Sequence, residues 1–147
     1  MIAVDSNILV YAHRRDSEWH KAARECVRRL AEGTSPWMIP WPCIHEFLAI
    51  VTHPRIYNPP TALAAALQQV EYWLASPSLI LEGESPHHWP TLRDLVQKSR
   101  VSGPLIHDAR VAAICLDHDV EAFWSADRDF SRFTGLKVHN PLTPTSE

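Results

Sequence analysis

The sequence predicts an α/β fold around a mostly parallel sheet, and three observations carry that reading. Short apolar runs recur along the chain, longer stretches with helical spacing of apolar residues separate them, and no segment repeats or becomes low-complexity. Strands joined by helices need crossover connections, which pair the strands in parallel and cover the sheet on both faces. A length of 147 residues, 46% of them hydrophobic and 21% charged, suits one domain with a substantial core.

The elements follow in order. IAV at 2–4 reads as a buried strand ended by Asp5, and SNILVYAHR makes a short helix despite its β-branched residues. In DSEWHKAARECVRRLAEG, Trp19, Ala22, Ala23, Cys26, Val27 and Leu30 recur at helical spacing, and Gly33 closes the end. A very short strand at 37–39 sits among prolines, and CIHEFLAIVTH is a helix stopped before Pro54. HPRIYNPP is a loop, after which Thr61 is expected to cap the helix ALAAALQQVEYWLAS. SLILEG is a strand, and SPHHWPTLRDLVQKS is a helix that tolerates Pro90 only near its first turn. After the break VSGP, LIHDARVAAICLDHD is an apolar helix, VEAFWSAD a strand, RDFSRF a helical turn and LKVHN a final strand. One domain is expected over 1–141, with 142–147 a short frayed tail.

Composition removes several function classes. A net charge of −3 disfavours a protein that coats duplex nucleic acid, although the basic stretches HRRD and RECVRR leave room for local contact with RNA. Four glycines supply neither a G-x-G-x-x-G turn nor a P-loop. Cys26, Cys43 and Cys115 show no metal or disulfide spacing and read as buried thiols in a reducing cytoplasm. No secretory signal or membrane-length apolar run is visible, so a cytoplasmic protein without a membrane segment is expected.

The acidic residues carry the functional signal. Asp5 leaves the first strand, and Asp127 and Asp129 follow the strand EAFWS. In a parallel sheet both strand ends lie on one edge, where ligands bind. Asp108 stands near the start of a helix running antiparallel to the strands, so it reaches the same edge. Glu46 lies in a helix that is apolar almost all round, which predicts a buried glutamate in need of a cation. Singly, each has an ordinary role: Asp5 as helix cap, Asp108 as complement to a helix dipole, Asp127 and Asp129 as turn residues, Glu46 as exposed surface. Together they form a pocket in which carboxylates repel and cannot all stay ionised uncompensated. Oxygen-only ligands favour Mg2+ over zinc, with Mn2+ as the alternative. Such a site suits phosphodiester hydrolysis by an activated water, which leaves 5′-phosphate and 3′-hydroxyl ends.

VDSNILVYA with Asp5, CIHEFLAIVTHPRIYNPP with Glu46, IHDARVAAI with Asp108 and WSADRDFSRF with Asp127 and Asp129 span nearly the whole chain. Their order and context resemble the PIN-domain ribonucleases, and more closely the VapC toxins of bacterial toxin–antitoxin pairs; HPRIYNPP resembles a mycobacterial-type subgroup. The resemblance implies a three-layer α/β/α domain. It implies Asp5 and Asp108 as principal Mg2+ ligands, Glu46 and Asp127 completing the catalytic pocket, and Asp129 as an outer member. Asn7 and Ser125 match polar positions that hold the carboxylates or a water, the family usually having threonine where Ser125 stands. A homodimer, an RNA substrate and inhibition by a VapB-like antitoxin are implied as well.

Two other readings stand beside this one. A receiver-like signalling domain would bind Mg2+ beside a phospho-accepting aspartate, but it wants a lysine that FWSAD does not offer. A PIN-like module that only binds partners is the other. Arg14, Arg15, His107 and Arg110 are either surface residues or contacts to the substrate. Trp19 and Trp73 fit helix core faces and Trp124 a strand. Trp37 and Trp41 are expected to pack in the core or a dimer interface, the alternative being to stack on bases or a partner. The ALAAAL helix is apolar enough to bury against a second subunit or an antitoxin.

Overall fold

The computed structural model describes residues 1–143, and its central strand is β1 (Ile2–Val4). On one side lie β2 (Trp37–Pro40) and β3 (Leu79–Glu82), and on the other β4 (Ala122–Trp124) and β5 (Val138–His139). The order is β3-β2-β1-β4-β5 and every pairing is parallel. All four residues of β2 are buried, as are Ala3 and Val4 of β1, which explains why these strands are apolar without alternation.

The connections divide into two groups. Between β1 and β2 run α1 (Ser6–His13) and α2 (His20–Glu32), and between β2 and β3 run α3 (Trp41–Val51) and α4 (Leu63–Leu74). The chain then returns across the sheet to β4 through α5 (His88–Ser99) and α6 (Leu105–Asp117). Right-handed crossovers that advance in one direction and then reverse put their helices on opposite faces. The packing agrees: α1 contacts α2 and α3, α3 contacts α4, and α5 contacts α6. The strand order reverses between β1 and β4, the place where such sheets open a crevice at their carboxyl ends.

Aromatic side chains fill the core. Phe47 meets Trp73 edge-on at 4.7 Å between centroids, and Phe123 meets Phe130 at 4.8 Å. Trp37 and Phe123 are fully buried, whereas Trp19 stands exposed ahead of α2 and does not join the core face expected of it. Pro90 does fall in the first turn of α5. Thr61 does not cap α4. Its hydroxyl lies 3.1 Å from His13 Nε2 and accepts from Arg14 at 3.2 Å, while the Arg14 guanidinium covers the Tyr57 ring at 4.2 Å. These contacts pin the 53–60 loop to the end of α1. Leu142 is buried, so packed chain continues past the expected boundary at 141; positions 144–147 of the expected tail lie outside the described residues. Among the described residues no helix is long and apolar enough to cross a membrane.

Candidate active site

Strand register sets the floor of the site. Val4 pairs with Trp124, so Asp5 and Ser125 are the next residues out on neighbouring strands. The Asp5 carboxylate does cap α1, its Oδ1 accepting from the Ser6 backbone N–H at 2.7 Å. The same group also faces the strand ends. Its Oδ2 accepts from Ser125 Oγ at 2.7 Å and Asn7 Nδ2 at 3.2 Å, and the Cys43 thiol donates to Oδ1 at 3.6 Å. Cap and site residue are one.

Ser125 and Asn7 extend this network into the loop after β4. Ser125 Oγ accepts from the Asp127 backbone N–H at 3.0 Å, and Asn7 Oδ1 accepts from that of Ala126 at 3.2 Å. Asp127 in turn caps the 3-10 helix Arg128–Arg132 through Asp129 N–H at 2.9 Å. These bonds fix where the Asp127 carboxylate points, and the Asp129 carboxylate accepts from Arg132 Nη2 at 3.3 Å.

Asp108, in the first turn of α6, comes to the same edge. One carboxylate oxygen from each of Asp108, Asp127 and Asp129 lies within 4.8 Å of the others. Asp5 sits outside that trio, buried and tied to it through Ser125. Glu46 is exposed, contrary to the expectation of a buried glutamate: the buried arc of α3 runs through Cys43, Ile44 and Phe47 and ends before it. It remains electrostatically part of the pocket. Burial pushes the Asp5 carboxyl up to about 6, against the pull of the Ser125 and Ser6 hydrogen bonds, and the Glu46 charge adds to the rise. Asp108 is likewise pushed up to about 6, by burial and then by the charges of Asp127, Glu46 and Asp129. Cys43 was not legible as a site residue. Its spacing of three from Glu46 was the one available sign.

This donor set fits a hard divalent cation. Three carboxylates converge without sulfur or imidazole among them, and Asp108 is raised by burial first and by the charges of its acidic neighbours second. Residues 2–136 match the PIN domain family. The chain belongs to it.

Two curated relatives refine that membership. The chain is 37% identical over 143 residues to Ribonuclease VapC43 of Mycobacterium tuberculosis, covering 97% of this chain and 96% of the relative. It is 31% identical over 139 residues to Ribonuclease VapC48 of the same organism, covering 95% and 96%. Among solved structures it resembles VapBC2 from Rickettsia felis, bound to a DNA fragment from their promoter, with a TM-score of 0.70 over 95% of this chain and 98% of that one. At 16% identity that likeness speaks for the fold alone. The chain is a VapC-type ribonuclease toxin, and the receiver-like reading falls.

Proposed function

We propose that this PIN domain is a Mg2+-dependent endoribonuclease that hydrolyses RNA to 5′-phosphate and 3′-hydroxyl ends, with Mn2+ as an alternative ion. The observation that carries it is the convergence of the Asp108, Asp127 and Asp129 oxygens over the buried Asp5. Asp5, Asp108, Asp127 and Asp129 would hold the ion, Asp129 at its exposed margin. When bound, the ion supplies positive charge to phosphoryl oxygens and makes an attacking water more acidic. Ser125 and Asn7 keep Asp5 and the Asp127 backbone in register, so the carboxylates need not reorganise when charge arrives. Glu46, open to solvent on the rim, is suited to accept the proton that the attacking water gives up.

The toxin would act in the cytoplasm as a homodimer and be silenced by a VapB-like antitoxin. The exposed Leu63, Leu67 and Leu74, which fall on one side of α4, support an apolar face that a second subunit covers. The acidic groove suits a cationic segment of an inhibitor. Similarity to the VapC ribonucleases supports the partner class.

Incubating purified protein with total RNA, with and without Mg2+ and beside Asp5→Ala, tests the proposal. Cleavage only with Mg2+, lost in Asp5→Ala and leaving 5′-phosphate ends, is expected. Products ending in 2′,3′-cyclic phosphate would overturn the hydrolytic mechanism.

A further inference from the structure

Beside the acid trio, between α3 and α6, lies a cavity of about 300 Å3 lined in part by His45, Glu46, His107 and Arg110. Glu46 belongs both to this cavity and to the rim of the acidic pocket, so the two spaces adjoin. Trp41 in the first turn of α3 keeps 41% of its surface in solvent, and its ring stacks on His45 at 6.5 Å and 29°. An indole left out of the core and laid against an imidazole is an open aromatic platform. Arg110 stands two residues from Asp108 on α6, and Glu84 engages its Nε. A guanidinium carries five N–H donors, so this pairing fixes its place while leaving most of its hydrogen-bonding capacity available. The stretch thus joins an aromatic surface, a fixed cation and two imidazoles next to the carboxylates.

We infer that this cavity, together with the Trp41 ring that adjoins it through His45, is a nucleotide subsite for single-stranded RNA, in which Trp41 and His45 stack on the base beside the scissile bond and Arg110 and His107 hold its phosphate. The inference rests on the nuclease reading and specifies which side of the acid trio the strand follows. Bases locked in a duplex do not offer a face to such a platform, whereas unpaired bases stack on aromatic side chains whatever their identity. Arg110 also offsets the repulsion between phosphates and the carboxylates next to it.

Steady-state cleavage of a short single-stranded RNA by the full chain, Trp41→Ala, Trp41→Phe and Arg110→Ala tests the subsite. Trp41→Ala should raise KM about tenfold with kcat little changed, and Trp41→Phe should restore most of it. Arg110→Ala should raise KM and flatten the plot of log KM against log salt by about 0.7, the loss of one phosphate contact on a single strand. Melting temperatures near that of the parent establish that the variants fold. If the parent cuts RNA and the variants match its KM and salt slope, the subsite is wrong and the nuclease reading stands. If the variants keep KM but bind a co-expressed antitoxin more weakly, the cavity belongs to the protein partner and the RNA subsite is overturned. A parent that cuts no RNA overturns both.

Discussion

Two groups of acids in this molecule are driven in opposite directions. On α2, Glu25 accepts from Arg28 at 2.6 Å and 2.9 Å and from Arg29 at 3.1 Å, and its carboxyl is held down to about 2 by those bonds. At the sheet edge, Asp5 and Asp108 rise to about 6. Every donor to Asp5 is neutral, and the charges that act on Asp108 most strongly are those of other acids. Density of charge does not mark a site. The sign of the partners does: α2 carries its own countercharge at helical spacing, while at the sheet edge the ion pair from Arg132, at 3.3 Å, reaches Asp129 and leaves Asp5 and Asp108 without one among the described residues.

The largest expected effect breaks the second group directly. Asp108→Asn should lower kcat roughly thousandfold, the scale of several kcal/mol attributed to a bound cation. The melting temperature of the metal-free protein should rise in the same variant, because one of the repelling charges is gone. Loss of both activity and stability would make Asp108 structural. Ser125→Ala comes next, removing the bond to Asp5 and the acceptor for Asp127 N–H. Turnover should drop about 10- to 100-fold, and urea unfolding should show a cost of about 1–3 kcal/mol. Ser125→Thr, which keeps the hydroxyl, should recover both.

A third effect separates the two groups by pH. Asp5 holds its proton in the folded state up to about pH 6, whereas the unfolded chain releases it near its ordinary 3.8. Between those values the folded state binds more protons, so metal-free stability falls as pH rises. For Asp5 the fall amounts to roughly 3 kcal/mol at most, nearly complete above pH 6. Melting in EDTA from pH 4 to 7 should show this decline, and Mg2+ should flatten it. Stability that instead climbs across that range would contradict the picture. Glu25 has the opposite sign: its contribution is present above its ordinary pKa and lost as pH falls through about 2. The smallest effect follows on α2, where Glu25→Gln should leave turnover unchanged and the melting temperature almost unmoved, since exposed pairs are screened.

The sequence made the alternation of strands and helices legible, because buried parallel strands and amphipathic helices carry different periods. It also made the gathering of Asp108, Asp127 and Asp129 legible, because parallel topology sends strand ends and helix starts to one edge. Glu46 was misjudged on a local argument. Cys43 and Glu46 are neighbours around the helix, yet the edge of the buried arc passes between them. Thr61 looked like a cap because its partners, His13 and Arg14, are 48 and 47 residues away. Asp5 resisted a choice between cap and site because its two carboxylate oxygens serve both. Long-range partners are what one-dimensional spacing leaves out.

The bond from Asp5 to Ser125 joins positions separated by 120 residues. A chain emerging from the ribosome has made the first of these groups long before the second, and β1 waits for β4 to complete its pairing. No arrangement of the acids can assemble until nearly the whole polypeptide has been synthesised. The topology therefore withholds the Asp5–Ser125 contact, and with it the complete acid cluster, from any nascent chain that has not yet made β4.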